Sequence, residues 1–283
     1  MKEKEKIGHI STTRLIDFAN HPFKVEENSA FYELMDSIQR DGVLVPLIVR
    51  ESKASAGDYE IISGHRRKTA CVVLGINEVP AIIRELDDDQ AVLEMVDSNL
   101  QREHIKPSEK AFAYKMKLEA LQNQGRGFGQ LDQKSGGYDA RKELSKQIGE
   151  SERQIQRYIR LTNLIPKILQ MVDDGVIAFT VAVELSYLNE DEQYELHAVM
   201  DIEQCTPSLS QANRMKRMSQ GEGLDMDMIY QVLEEIKPNQ REVIKLDLSK
   251  VAKYIPRNYT PKQMEDLIEK LLMDWSVSNC TYS

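Results

Sequence analysis

The sequence predicts an α+β N-terminal domain, then an all-α region carrying a helix-turn-helix, then a small, mainly helical C-terminal region. Three observations predict it. Short apolar, β-branched runs at 43–49, 59–62 and 79–84 alternate with helix-patterned stretches. From Asp87 to Ser219 the apolar residues recur only at helical spacing. A segment with five glycines and little periodicity, 125–138, breaks that helical run in two and reads as a loop or linker. The expected spans are a disordered tail at 1–10, the α+β domain at 11–100, the helix-turn-helix domain at 101–205 and the C-terminal region at 206–283.

His21-Pro22-Phe23 opens the chain with an extended turn, because a residue before proline avoids the helical region. Asn28 and Ser29 cap a helix running to about Arg40, with Phe31, Leu34, Met35 and Ile38 on one face. Gly42 suits the left-handed position that ends it. Val43–Val49 reads as a buried strand containing Pro46, and Tyr59–Ile62 as a second strand after the polar turn Ser55–Asp58. A short helix, Arg66–Leu74, stops at Gly75 and is followed by a strand at Val79–Arg84. Asp87–Val96 and Ser108–Gln124 are helices, the second with Pro107 beside its start.

After the glycines come two helices, Ala140–Ile148 and Glu152–Leu164, joined by Gly149-Glu150-Ser151. Ala140, Leu144 and Ile148 form the inner face of the first, and Ile155, Ile159 and Leu161 that of the second, a helix-turn-helix pattern. Two more helices are expected within 166–200, separated at Asp173-Asp174-Gly175, then a basic helix at Ser208–Ser219 and another at Asp225–Ile236. A polar-apolar stretch spans Val243–Val251. The last helix starts at Thr260-Pro261 and is expected to bury Met264, Leu267, Ile268, Leu271 and Trp275 against its own domain or a second copy.

Composition narrows the function classes. The net charge of −9 excludes a wholesale polycation, so any nucleic-acid contact must come from a local patch. Cys71, Cys205 and Cys280 are distant and odd in number, which implies neither a disulfide framework nor a zinc cluster. The charged start Met1–Lys6 has no apolar run behind it and no window is apolar enough for a membrane span, so a cytoplasmic protein without a membrane partner is expected. The scattered histidines and cysteines offer neither metal-ligand spacing nor a nucleophile pair.

Three constellations carry chemistry. Ile61–Ala70 reads as strand, Ser-Gly turn and helix start, with Arg66, Arg67 and Lys68 at the turn. Free N–H groups at a helix start favour an anion, and guanidinium groups favour phosphate. Asn99 and Arg102 are three residues apart and share a helix face. They form either a polar face or a site where the amide meets a metal ion and the guanidinium a phosphate. From Arg141 to Arg160 there are six basic and three acidic residues, a positive stretch in an acidic chain. Lys142, Lys146, Ser151, Arg153, Gln154, Gln156, Arg157 and Arg160 are the candidate DNA-binding residues, since Arg and Gln read guanine and adenine edges in the major groove.

In this order, the constellations resemble the ParB/RepB/Spo0J partition-protein family, whose N-terminal fold is shared with sulfiredoxin. Asp41–Val49 is similar to the family's first box, and Gly64-His65-Arg66-Arg67-Lys68-Thr69-Ala70 to its G-E-R-R-x-x-A box. Ser98-Asn99-Leu100-Gln101-Arg102-Glu103 with Pro107–Ala111 is similar to its E-N-x-x-R-E and P-x-E-x-A box. The tail is closer to those of partition-like proteins on mobile elements.

The resemblance implies CTP with Mg²⁺, the triphosphate held by Gly64, His65, Arg66 and Arg67, the cytosine by the first box, the metal by Asn99 and a phosphate by Arg102. It also implies a nucleoid-associated homodimeric clamp on a palindromic site in double-stranded DNA. A ParA-type ATPase is the family's usual partner, but here Lys2, Lys4 and Lys6 alternate with Glu3 and Glu5.

Ser98 stands where the family has the Glu associated with hydrolysis, so weak or absent CTPase activity is expected unless Asp97 substitutes. The alternative function is a DNA-binding transcription regulator with a vestigial nucleotide fold. A sulfiredoxin-fold enzyme is disfavoured, because the turn Ser63-Gly64-His65-Arg66 lacks that family's cysteine.

Overall fold

The computed structural model describes residues 7–19, 21–102, 105–128, 139–221 and 223–234, with 260, 263, 264, 267–271, 273 and 275. The chain divides into two compact units, 1–235 and 236–283.

The first unit begins with β1 (Ile7–Ser11) and β2 (Leu15–Asp17), joined by a 3-10 turn. Then follow α1 (Ser29–Asp41), β3 (Leu47–Glu51), β4 (Tyr59–Ser63), α2 (His65–Val73) and β5 (Glu78–Ile83). The sheet order is β1-β5-β3-β4-β2, so the first 17 residues supply both edge strands. β1–β5 and β3–β4 are antiparallel, whereas β3–β5 and β2–β4 are parallel. Side chains alternate across the sheet, which places the fully buried neighbours Ile61 and Ile62 in different cores. Ile61 packs with Leu47, Val49, Phe31, Ala70 and Cys71 beneath α1 and α2. Ile62 packs with Phe18, Phe23, Met95 and Val96.

The helical part comprises α3 (Asp88–Leu100), α4 (Pro107–Phe128), α5 (Ala140–Ile148), α6 (Glu152–Arg160), α7 (Pro166–Asp173), α8 (Phe179–Leu185), α9 (Glu190–Glu203), α10 (Leu209–Ser219) and α11 (Met226–Glu234). Local chemistry sets the ends. Asn28 caps α1 by accepting the Phe31 N–H, Asp87 forms a capping box with Gln90 at α3, and Ser151 accepts the Gln154 N–H at α6. α4 joins the parts. Its Ala113 lies in the core under the sheet, its Tyr114, Leu118 and Leu121 pack on Leu144 of α5 and Ile155 of α6, and its Ala111 enters the core of α7–α11.

Several expectations are corrected. Residues 7–10 belong to β1, not to a tail; their pairing partner lies some 70 residues away, out of reach of a local pattern. The strand expected from Val43 starts only at Leu47. Pro46 has no N–H to give a ladder, and Leu44 and Val45 are 75% and 63% exposed. Residues 166–200 hold α7, α8 and most of α9, because Asn189 begins a second capping box with Glu192. α6 ends at Arg160, followed by a 3-10 turn. Ala212, Met215, Ile229 and Leu233 share a core with Ile168 and Leu196, so the boundary expected at 205 falls inside one core. Gly125 lies inside α4, while 129–138 and the stretch Val243–Val251 lie outside the described residues, as does the tail segment 1–6.

In the second unit, Thr260 and Gln263 bond reciprocally at the start of a helical stretch. Met264, Leu267 and Ile268 are half-buried, whereas Leu271 and Trp275, 58% and 66% exposed, are not buried against their own domain. Among the described residues no helix is long and apolar enough to cross a membrane.

Candidate functional site

A cavity of about 680 Å³ lies where α2, the 24–30 segment, the 102–109 segment and the end of α7 meet. Its charged lining is Lys24, Glu26, Arg66, Arg102, Lys106, Glu109 and Asp173. The strand-turn-helix predicted at Ile61–Ala70 positions the first wall. Gly64 holds φ at +114°, and a Cβ there would lie 2.7 Å from the Leu47 side chain, so only glycine turns the chain this tightly against β3. α2 starts immediately after it and carries Arg66 into the cavity.

Arg66 is the least satisfied side chain in the site. Its Nε and one Nη are buried without a hydrogen-bond partner. A buried, unpartnered guanidinium is costly, and an anion that accepts from both nitrogens removes the cost. Arg102 faces the same space. Burial pushes its pKa down, the Glu109 carboxylate pulls it back up, and the Arg66 charge pushes it down again. The Arg102 guanidinium also lies 5.5 Å from the centre of the Phe23 ring.

Glu109, 8% exposed, fastens the rim: one oxygen accepts the Lys24 N–H at 2.9 Å and the other the Lys106 N–H at 3.3 Å. Lys106 pairs with Glu26 at 2.5 Å, which holds its ammonium above the ordinary pKa. Asp173 closes the far side by accepting the Ser108 N–H at 2.9 Å and the Ser108 hydroxyl at 2.5 Å.

The other expected nucleotide residues divide. His65 is 7% exposed, stacks on His21 with ring centres 3.8 Å apart, and has an unpartnered Nε2. Burial, then the neighbouring His21 ring, pushes its pKa down to about 3. Arg67 is already engaged. Its Nη1 donates to the Val45 and Pro46 carbonyls at 2.5 and 2.8 Å, so it braces the loop before β3 instead of opening into the cavity.

Asn99 is 4% exposed and donates its amide to the Met95 carbonyl at 2.8 Å, outside the cavity lining. A metal ion could meet only its Oδ1. Among the described residues there is no group of three His, Cys, Asp or Glu side chains fit to hold an ion. Ser98 donates to the Met95 carbonyl and Asp97 pairs with the buried Lys117; neither lines the cavity with Arg66 and Arg102. The alternative carboxylate at Asp97 is thus placed elsewhere.

In the helix-turn-helix, Leu144 and Ile155 are buried and Lys142, Lys146, Ser151 and Arg153 are exposed. Gln154, Gln156 and Arg157 are half-buried, with Arg157 donating to Gln154 Oε1 at 3.2 Å and lying over the Phe179 ring. Arg160 departs from expectation. Its Nε and Nη2 donate to the Ser186 hydroxyl and carbonyl at 3.2 and 2.9 Å, and the guanidinium sits 3.5 Å from the Tyr187 ring centre. It braces α6 on the end of α8. Sequence reasoning gave no role to Lys24, Glu26, Lys106 or Asp173. Asp173 was legible only as part of a helix break.

Residues 1–100 match the ParB N-terminal domain and residues 129–218 the ParB HTH domain. A probable chromosome 1-partitioning protein ParB of Deinococcus radiodurans is 30% identical over 75% of this chain and 66% of its own length. The stage 0 sporulation protein J of Bacillus subtilis is 33% identical over 62% of this chain and 55% of its own. A nucleoid occlusion protein of a Geobacillus strain is 30% identical over 68% and 62%. The chain thus spans somewhat under two thirds of the length of these relatives. With both domains present in this order, and with relatives of this kind, the chain belongs to the ParB family.

Proposed function

We propose that this protein is a site-specific DNA-binding partition protein, a homodimeric clamp gated by CTP with Mg²⁺ held at the Arg66–Arg102 cavity. The observation that carries the reading is the half-buried Arg66, with two guanidinium nitrogens buried and unpartnered, facing Arg102 across that cavity. Such a pair suits a polyphosphate better than a monoanion. Gly64 gives the phosphates close approach to the backbone, and Arg67 holds the Val45–Pro46 loop in the first box, the wall assigned to cytosine by family resemblance. Mg²⁺ keeps much of its water and binds mainly through phosphate oxygens, so it would come to this cavity with the triphosphate; Asn99, which the resemblance assigns to the ion, lies outside the cavity lining.

The helix-turn-helix supports the DNA half, with Lys142, Lys146 and Arg153 for phosphates and Gln154, Gln156 and Arg157 toward base edges. The Deinococcus radiodurans relative, a probable chromosome-partitioning protein, supports partition as the role of the assembly; a ParA-type ATPase is a partner that only the family resemblance implies. Hydrolysis is weak in this reading. Ser98 is no base, and of the carboxylates lining the cavity Glu109 is committed to two backbone N–H groups and Glu26 to Lys106.

The test titrates the chain with CTP, ATP, GTP and UTP, then follows accumulation on closed and open-ended DNA bearing the site. The expected result is selective CTP binding and CTP-dependent, salt-resistant retention on closed DNA alone. Equal retention on both DNA forms, whatever the nucleotide, would return the protein to simple site-specific regulation.

A further inference from the structure

Among the described residues lining the cavity, Asp173 alone comes from the helical region beyond α4. It is the last residue of α7, and both of its carboxylate oxygens are spent on Ser108, in the first turn of α4. The first turn of a helix presents orphan N–H groups and the positive end of the dipole, which is where an anion is favoured. The protein has therefore placed a carboxylate of its own at that spot, from 65 residues away, inside the cavity whose two arginines suit phosphate.

We infer that Asp173 is an internal anion competing with the nucleotide's phosphates for the start of α4, so that filling the cavity releases α7 from α4. The inference rests on the polyphosphate reading of the cavity and adds a residue that couples it to the DNA-binding helices.

The argument is one of charge and connection. Three carboxylates share the cavity lining. Glu109 is locked by two backbone N–H groups of its own rim, and Glu26 travels with Lys106. Asp173 differs because it belongs to another helix, whose core α4 enters, among the described buried residues, through Ala111 alone. α7 packs through Ile168, Leu169 and Val172 in the α7–α11 core, and only five residues separate its start from the end of α6. Phosphate in the cavity brings like charge toward the Asp173 carboxylate and offers Ser108 another acceptor. Both effects weaken the α7–α4 contact; the like charge also reaches Glu109, which its two backbone N–H bonds hold in place. By reciprocity, anything that pulls α7 from α4 raises affinity for the anion.

The experiment uses the full chain with two probes, CTP–Mg²⁺ and inorganic triphosphate. It measures dissociation constants by calorimetry and amide exchange of the 166–177 stretch by mass spectrometry. In the unsubstituted protein, either probe is expected to speed exchange in that stretch. Asp173→Asn is expected to bind both probes about fivefold tighter, the lower end of ordinary coupling, and to lose the probe-induced change in exchange. Ser108→Ala keeps the carboxylate but removes one anchor. It is expected to speed exchange without any probe and to shrink the probe-induced change.

Binding of the probes with unchanged exchange overturns the competition while leaving the cavity reading intact. So does unaltered affinity in Asp173→Asn. Failure of both probes to bind the unsubstituted chain removes the cavity reading and the competition together. If Asp173→Asn melts before it can be titrated, Ser108→Ala decides alone, and exchange of 166–177 left unaltered there without a probe overturns the competition.

Discussion

Arg66 and Arg160 both belong to constellations that suggest a ligand, and the molecule treats them in opposite ways. Arg160 is answered internally: two hydrogen bonds to Ser186 and an aromatic ring beneath it. Arg66 is buried with two nitrogens unanswered. The difference separates a brace from a binding group. A brace lowers the energy of the fold, whereas a binding group raises it and recovers the cost when the ligand arrives.

Three substitutions or titrations would break or sharpen this contrast. The largest effect is expected from Arg66→Ala. It should weaken nucleotide binding by two orders of magnitude or more, about 3 kcal/mol for a lost pair of charge-assisted bonds. The melting temperature should hold or rise, as checked by calorimetry on the same sample; an Arg66→Ala protein that melts early would make Arg66 a brace as well. Arg160→Ala should do the reverse, costing about 1–2 kcal/mol of stability in a urea melt while nucleotide affinity stays put.

The third effect concerns His65. Its folded pKa lies near 3, below the unfolded value of 6.5, so the unfolded chain takes up a proton that the folded chain refuses. Stability should be level at and above neutrality and fall as pH drops from 6.5 toward 3, by at most about 1.4 kcal/mol per pH unit. His21 is shifted in the same direction by burial and adds to the slope. Urea melts across that window, with His65→Gln as the control that flattens the slope, check it.

Much of the cradle was legible because its signals are local. A glycine between a strand and a basic helix start fixes the turn at Ser63–Arg66, and the capping residues Asn28, Asp87 and Ser151 sit beside the helices that they begin. The same holds for the helix-turn-helix, whose inner face reads directly from the spacing of Ala140 and Leu144. The parts that escaped depend on partners distant in sequence. Arg67 looks identical to Arg66 in a string of letters; only the fold reveals that it reaches the carbonyls of Val45 and Pro46, over 20 residues back. Asp173 reaches Ser108, and Arg160 reaches Ser186, by the same logic. Charge was readable from the sequence, but its commitment was not.

The placement of β1 and β2 on opposite edges of the sheet has a consequence for how the chain is made. β1 pairs only with β5, and Ser11 lies opposite Glu78; β2 pairs only with β4, and Leu15 lies opposite Tyr59. During synthesis the first 17 residues must therefore wait, unpaired, until the middle of the sheet has emerged behind them. Long-range pairings of this kind slow folding, because the closing loop must be ordered before any contact compensates for it. The first strands of this sheet to be made are thus among the last to find their places in it.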